Sequence, residues 1–471
     1  MTEQEEPMFA GIDLGTSAVK LLITDLQGNG GTYYGEYREN SPEGFWLAVE
    51  AAFGQAGARL DLKQVEAVGL SSQSCSYILY DGNSRSPFYG WDYPQGGEMV
   101  EKAQGLCTQE EFLRYLSMPC PRMHSYPVPR ILWFQDARKE EWKRMRKLLQ
   151  PKDYICYRLT GAWTSDPYLW RGLANIKRGA FEPELLKRLQ LPEEQLPRLT
   201  DPAGVAGHIT PDAASRLGLR EGTPVYAGLN DYFASLIGMG ITGPGQNYDI
   251  TGTSEHLGTI TEELYISPRL ISSPYVNGNV LYGVTSGSGR SLAWSFRTFD
   301  IRQELKAEEY LKGNPPIYLP YLEGERAPVW NPNASGTFYG IHSRHTAEDL
   351  AYAVYEGVVF SLYHIRSHMN AWGTGALRTS GGASVNRQLN RMKASMLDTP
   401  VETVEEKNTS ALGAVFCAAV GSGRYGSYEQ AAQEQIRIMD YVEPELDLHK
   451  QLKSRYGIYL ELIERLQVLW K

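Results

Sequence analysis

Two short segments of this chain carry the same pattern, and few folds can use it twice. The first reads I-D-L-G-T-S (12–17) and the second Y-D-I-T-G-T-S (248–254). The Gly-Thr-Ser triplets begin at Gly15 and Gly252, 237 residues apart, about half of the 471-residue chain. Each has an aspartate near the end of an apolar run, a Gly-Thr-Ser turn, and a second short apolar run, V-K-L-L-I-T (19–24) in the first case. Two apolar runs about a tight turn predict a β-hairpin, not a strand entering a helix. A chain of this length exceeds what one hydrophobic core ordinarily serves. Two lobes of related architecture are therefore expected, one over 1–243 and one over 244–471, with the break near Gly243–Gly245.

The glycines sharpen the expectation. There are 47, and 12 fall between Gly222 and Gly289, whereas residues 106–160 contain none. Clustered glycine marks backbone that turns sharply or approaches a ligand closely. The net charge of −9, from 46 basic and 55 acidic residues, gives no positive field for nucleic acid. An anionic ligand must then be held by specific local groups. Five cysteines with no C-x-x-C pairing predict reduced thiols, not disulfides or zinc. The acidic start MTEQEEPMFA is no signal peptide, and the longest apolar stretch, ALGAVFCAAVG (411–421), falls short of the roughly 20 residues a bilayer requires. A cytoplasmic protein with no membrane partner is expected.

Several segments can carry chemistry, and each has a plainer reading. Backbone amides in the turns Gly15-Thr16-Ser17 and Gly252-Thr253-Ser254, with their hydroxyls, can cradle phosphate. Beside the first, Asp13 could hold hydrated Mg²⁺ and Lys20 could reach a phosphate oxygen; alternatively Asp13 caps its own turn and Lys20 is a solvated strand charge. Asp231, opening a predicted helix in LNDYFASL, could accept a proton from a substrate hydroxyl or simply complement the helix dipole. Gly381-Gly382 with Asn386 could admit an adenine, or form a close-packed helix entry. Trp91 and Asp92 in YGWDYP could line a polar ligand cleft, or be a buried indole and its neighbour. Gly238-x-Gly240-x-x-Gly243 matches the dinucleotide fingerprint, the sole basis for an NAD-dependent oxidoreductase, but a helical run precedes it and Pro244 follows. No G-x-x-x-x-G-K-[ST] occurs. Helices are expected across 98–160, with a solvated face at RKEEWKRMRK (138–147), after an N-cap at Thr346 with Asp349 at the capping-box offset, after Gly382, and through the last fifty residues. Residues 320–340, dense in turn formers, are expected as a surface loop.

In order and spacing these segments resemble the FGGY carbohydrate kinases. GIDLGTSAVKLLITD is similar to the family's first phosphate motif, and GLNDYFASLIGMGITGPG to the segment with the catalytic aspartate and hinge. ITGTSEHLG is similar to the second phosphate motif, TSGGASVN with NTSALGAVFCAA to the adenosine motif, and PVPRILWF and PYLEGERAPVWNPNASGTFYGI to stretches of xylulokinases and gluconokinases. The resemblance implies an α/β fold of two ribonuclease-H-like, actin/hexokinase-type domains with a catalytic cleft between them. It implies ATP and Mg²⁺, a small sugar, sugar acid or polyol as acceptor, and allows a homodimer. By the same resemblance Asp231 is the general base and a substrate contact, and Asp13 organises Mg²⁺ through water. Gly15, Thr16, Ser17, Lys20, Gly252, Thr253 and Ser254 serve the phosphates, and Gly381, Gly382 and Asn386 the adenosine. Gln73, Trp91 and Asp92 are the expected sugar contacts. The sequence departs from the family at that end: Gln73-Ser74-Cys75-Ser76 lacks the usual histidine of Gln-Met-His-Gly, and Asp92-Tyr93-Pro94 lacks the arginine of Asp-x-Arg. A site lacking a hydrogen-bond partner rejects substrates that need it, so xylulose does not follow as the substrate. The altered sugar positions also motivate the alternative of a nucleotide-binding regulatory or sugar-sensing protein on the same fold.

Overall fold

The computed structural model describes residues 7–301 and 305–471. The chain forms two compact units, Met1–Thr242 with Asn408–Ile436, and Gly243–Lys407 with Arg437–Lys471. The first is built on a six-stranded sheet. Strands β1 (Met8–Leu14), β2 (Ala18–Thr24) and β3 (Gly30–Glu36) form an antiparallel meander. On the other side of β1, β4 (Val65–Ser72) runs parallel to it. Of the two strands that follow, β5 (Val205–His208) and β6 (Pro224–Asn230), β6 is parallel to β4 and β5 closes the edge antiparallel to β6. β1 is buried along its whole length, as a central strand covered on both faces must be.

The second unit repeats this succession. Its strands are β7 (Asn247–Thr251), β8 (Glu255–Thr261), β9 (Ile271–Pro274), β10 (Asn279–Val284), β11 (Leu377–Gly381), β12 (Val401–Val404) and β13 (Ile438–Val442), in the order β9-β10-β8-β7-β11-β12-β13. On one side of the central strand β7 lie β8, β10 and β9, each antiparallel to the strand before it in the sheet. On the other lie the parallel β11 and β12, then the antiparallel edge β13. Both Gly-Thr-Ser triplets therefore turn the chain from a central strand into its antiparallel neighbour, as the hairpin pattern predicts.

The segment Asn408–Ile436 packs with the first unit, not with the C-terminal lobe to which the sequence reading assigned it. Its helix Thr409–Gly421 is apolar all round and buried from Thr409 to Ala419, so it needs cover on every face. It finds that cover against β1, β4 and the helix Asp231–Gly238, and glycine makes the approach possible. A Cβ on Gly11 would lie 2.1 Å from the Ala411 carbonyl oxygen, one on Gly69 1.9 Å from that of Ala414, and one on Gly413 1.9 Å from that of Ala234. Part of the glycine excess thus serves helix-on-sheet packing instead of a ligand, and Gly11 belongs to that part. Gly238 serves helix-on-helix packing in the same way, since its Cβ would meet the Thr409 carbonyl at 1.9 Å.

Two helical expectations are corrected. Within 98–160 the strand Lys147–Leu149 pairs with Tyr77–Tyr80, and the last fifty residues include β13. Both are short strands recruited by an existing sheet edge, a tertiary pairing that local periodicity does not register. Thr346 does cap the helix Ala347–Ser367 in a capping box with Asp349. Among the described residues no helix is long and apolar enough to cross a membrane.

Candidate functional site

In the first unit the end of β1 gathers the predicted groups. Asp13 sits opposite Lys20 in the β1–β2 register, with Lys20 Nζ 3.8 Å from its carboxylate. Asp13 is 2% exposed and is held from two sides: Ser71 Oγ on β4 donates to Oδ1 at 3.0 Å, and Ser410 Oγ on the helix Thr409–Gly421 donates to Oδ2. Gly15 N–H donates to the Ala18 carbonyl at 3.0 Å and closes the turn, leaving Thr16 and Ser17 exposed at its tip. Tyr37 hydroxyl donates to the Gly15 carbonyl at 3.0 Å; burial and the Asp13 charge hold this phenol well above its ordinary value.

Gln73, expected at the sugar, is 3% exposed and spends its amide on the protein. Its Nε2 donates to the Gly15 carbonyl at 3.2 Å, and its Oε1 accepts from Ser76 Oγ at 3.2 Å. It fastens the phosphate turn to the segment after β4. Trp91 stands at the same place: its backbone N–H donates to Ser76 Oγ at 3.1 Å and its indole N–H to Thr16 Oγ1 at 3.2 Å. Trp91 is partly open to solvent, contrary to a buried indole, and Asp92 is exposed beside it.

Asp231 is placed by an abrupt change of structure. β6 ends at Asn230, whose side chain caps the helix Asp231–Gly238 by accepting from Phe233 N–H at 3.0 Å. Asp231 is thus the first helical residue, and its carboxylate accepts from Tyr232 N–H at 2.8 Å. A helix N-terminus favours the ionised form. Burial and the nearby negative charge of Asp13 outweigh that and push its pKa up to about 7, against the pull of Lys20 and Arg171.

Sequence reading passed over Arg171. It is 7% exposed, with its guanidinium carbon 5.1 Å from the Phe233 ring centre and 5.7 Å from that of Tyr232, and its charge acts on both Asp231 and Cys75. Cys75 stands where the family pattern has a histidine, and Arg171 brings positive charge to Cys75 and Asp231 from another segment. Nothing in LWRGL (169–173) signals it, because the rings it lies against are remote in sequence. Arg130, inside PVPRILWF, donates to the carbonyls of Tyr93 and Gln95, each at 3.0 Å, and so fixes the loop that follows Trp91 and Asp92.

In the second unit the turn Gly252-Thr253-Ser254 joins β7 to β8, with Gly252 and Thr253 exposed and Ser254 half-buried. Its base is clamped by a fully buried ion cluster: Lys393 Nζ lies 2.7 Å from Asp249 Oδ2 and also donates to Glu255 Oε1. The two halves of the repeat therefore agree in backbone and part company at the aspartate. Asp13 lies near Asp231, whereas Asp249 is sealed against a lysine. Gly381 ends β11 with φ +103°, and a Cβ there would meet the Thr251 carbonyl at 1.9 Å; a Cβ on Gly382 would meet nothing within 4 Å. Asn386 caps the helix Arg387–Leu397, accepting from Leu389 N–H and donating to Tyr355 hydroxyl, each at 3.0 Å. Of the three residues expected at adenosine, Gly382 offers open backbone, and the other two serve the protein's own packing.

Comparison with known proteins bears on this arrangement. The N-terminal domain of the FGGY family of carbohydrate kinases matches residues 8–238, and its C-terminal domain matches 248–422. The chain belongs to the FGGY family of carbohydrate kinases. This kinase is 26% identical to the xylulose kinase of Staphylococcus xylosus, over 95% of its own length and 98% of the relative's. It is 22% identical to the gluconokinase of Bacillus subtilis, over 97% and 96%. Its structure resembles the crystal structure of xylulose kinase from Lactobacillus acidophilus with a TM-score of 0.88 and 25% identity, covering 98% of each chain. The kinase accordingly has the two-domain actin/hexokinase-type fold and is an ATP-dependent enzyme acting on a sugar. The regulatory alternative is not favoured.

Proposed function

We propose that this kinase transfers the γ-phosphoryl group of ATP to a hydroxyl of a small sugar, sugar acid or polyol of the xylulose or gluconate class, with Asp231 as general base. The observation that carries the reading is Asp231 itself: a carboxyl at a helix start, raised to about 7 by burial and by Asp13. A base whose pKa lies near the working pH combines a useful ionised fraction with real proton affinity. As the acceptor oxygen bonds to the γ-phosphorus, its proton passes to the Asp231 carboxylate. The bond from that phosphorus to the bridging oxygen breaks, and the electron pair leaves with ADP.

In this reading Thr16 and Ser17 of the first unit and Gly252, Thr253 and Ser254 of the second meet phosphate oxygens, Lys20 adds charge, and Gly382 leaves room for adenosine. Trp91 and Asp92 are the sugar contacts, and Gln73 holds the Gly15 turn in place. Mg²⁺ fits Asp13 through water. Both Asp13 oxygens already accept hydroxyls, and among the described residues no group of three acidic, histidine or cysteine side chains forms a metal cage. That agrees with an ion that keeps most of its waters. When bound, the ion would neutralise charge on the phosphate oxygens. A cytoplasmic location and a homodimeric assembly complete the reading.

The test is ADP release over a panel of ketoses, aldonates and polyols. Acceptor-dependent turnover on a member of these classes is expected. Tight ATP binding with no turnover on any acceptor would return the regulatory reading.

A further inference from the structure

The second unit holds a cation against its Gly-Thr-Ser turn that none of the assigned roles uses. Arg326, in the turn-rich stretch 320–340, donates from Nη2 to Ser254 Oγ at 2.6 Å and to the Thr285 carbonyl at 2.6 Å. The backbone beneath it is fixed with unusual care. Glu325 is 3% exposed, and its Oε1 accepts the N–H groups of Ser286 at 2.6 Å and of Arg326 itself at 2.7 Å. Glu325 also exchanges two backbone hydrogen bonds with Asn331, each 2.9 Å. The carboxylate therefore works as a backbone clamp and does not form a fork with the guanidinium.

Arg326 is consequently anchored through one nitrogen. Among the described residues no acidic oxygen lies within ion-pair distance of it, and the neighbouring Glu323 is taken by Arg290 at 3.3 Å. Its Nε and Nη1 donate to no group among the described residues and are not sealed from solvent. A half-buried guanidinium held on a turn hydroxyl, with donors left over, suits an anion with several oxygens.

We propose that Arg326 binds the phosphate oxygens of the nucleotide at the Gly252–Ser254 turn, using Ser254 as its foothold. This rests on reading that turn as a phosphate site. Arginine is suited to the task because its planar fork can meet two oxygens at once, whereas a lysine offers only a point charge.

The test is equilibrium binding of ADP and of adenosine, which has no phosphate, to the wild type, Arg326→Gln, Arg326→Lys and Thr253→Ala. Arg326→Gln should weaken ADP about 10- to 100-fold and leave adenosine within about twofold, since a charge-assisted hydrogen bond is lost only where phosphate is present. Arg326→Lys should fall between, and its retained adenosine binding shows that the fold survives. An unchanged ADP-to-adenosine ratio in Arg326→Gln, with a ratio lowered by Thr253→Ala, would overturn the role of Arg326 and keep the turn. No change in either variant would overturn the phosphate reading of the turn itself. Equal loss of both ligands in Arg326→Gln and Arg326→Lys would make Arg326 a structural residue and end the proposal.

Discussion

Replacing Asp231 by asparagine removes the proton acceptor while keeping its size and the acceptor for Tyr232 N–H. General-base catalysis contributes about 10²- to 10⁴-fold, so kcat should fall by that factor. The same substitution should act on stability in the opposite direction, and the sign follows from the raised pKa. The ordinary value is 3.8 and the folded value about 7, so between them the folded chain holds a proton that the unfolded chain has released. Stability therefore falls as pH rises through that window and is level above it. A shift of about three units caps the effect at ~4 kcal/mol, and the partial exposure of the side chain brings it to about 1–2 kcal/mol. Asparagine escapes this cost. Asp231→Asn should be more stable than the wild type in urea denaturation at pH 8, and nearly equal at pH 4. In the wild type, kcat/KM should also fall about tenfold from pH 8 to pH 6 as the base takes up its proton. A variant with kcat within a few-fold of wild type, or one less stable at pH 8, would refute the reasoning.

Two further outcomes test the supports of the site. Lys393→Met leaves Asp249 and Glu255 buried without their cation, which should cost about 3–5 kcal/mol at pH 8. The loss should shrink at pH 6 as one carboxyl protonates; equal loss at both pH values in urea titrations would show that charge is not the cause. Arg130→Met frees the loop after Trp91 and Asp92, so KM for the sugar should rise roughly tenfold with KM for ATP little changed. A rise in both constants would place the effect elsewhere.

The parts of this protein that could be read in advance are those written locally. Each hairpin is spelled by a continuous stretch of apolar runs and a turn, so both appear where the sequence puts them. Asp231 follows from a short apolar run meeting a helix start. What sequence did not reveal depends on partners far away in the chain. Gln73 reads as a polar side chain after a strand, and only the fold shows its amide spent on Gly15 and Ser76. Asn386 reads either as a ligand group or as part of a helix entry, and only the fold shows its amide capping a helix and reaching Tyr355. Arg171, Arg130 and Arg326 take their roles from rings, carbonyls and a hydroxyl in other segments. Gly11 is the sharpest case: it opens the motif GIDLGTSAVKLLITD, yet its neighbour Ala411 stands 400 positions later, and only the fold shows that its lack of a side chain is room for a helix.

That helix also sets an order of events at synthesis. Thr409–Gly421 covers β1 and β4, and Ser410 reaches Asp13 across 397 positions. A chain that has left the ribosome only as far as Thr242 has made all six strands of its first sheet, yet lacks the hydrophobic cover for one face. Closing so long a loop is slow, and the uncovered strands are open to wrong pairing meanwhile. The first half of the protein is begun first and completed late. A gene cut between Thr242 and Gly243 would yield a fragment that keeps the clusters built from its own residues but leaves the face of β1 and β4 under this helix bare, and a segment spanning 408–436 supplied separately is what should cover it.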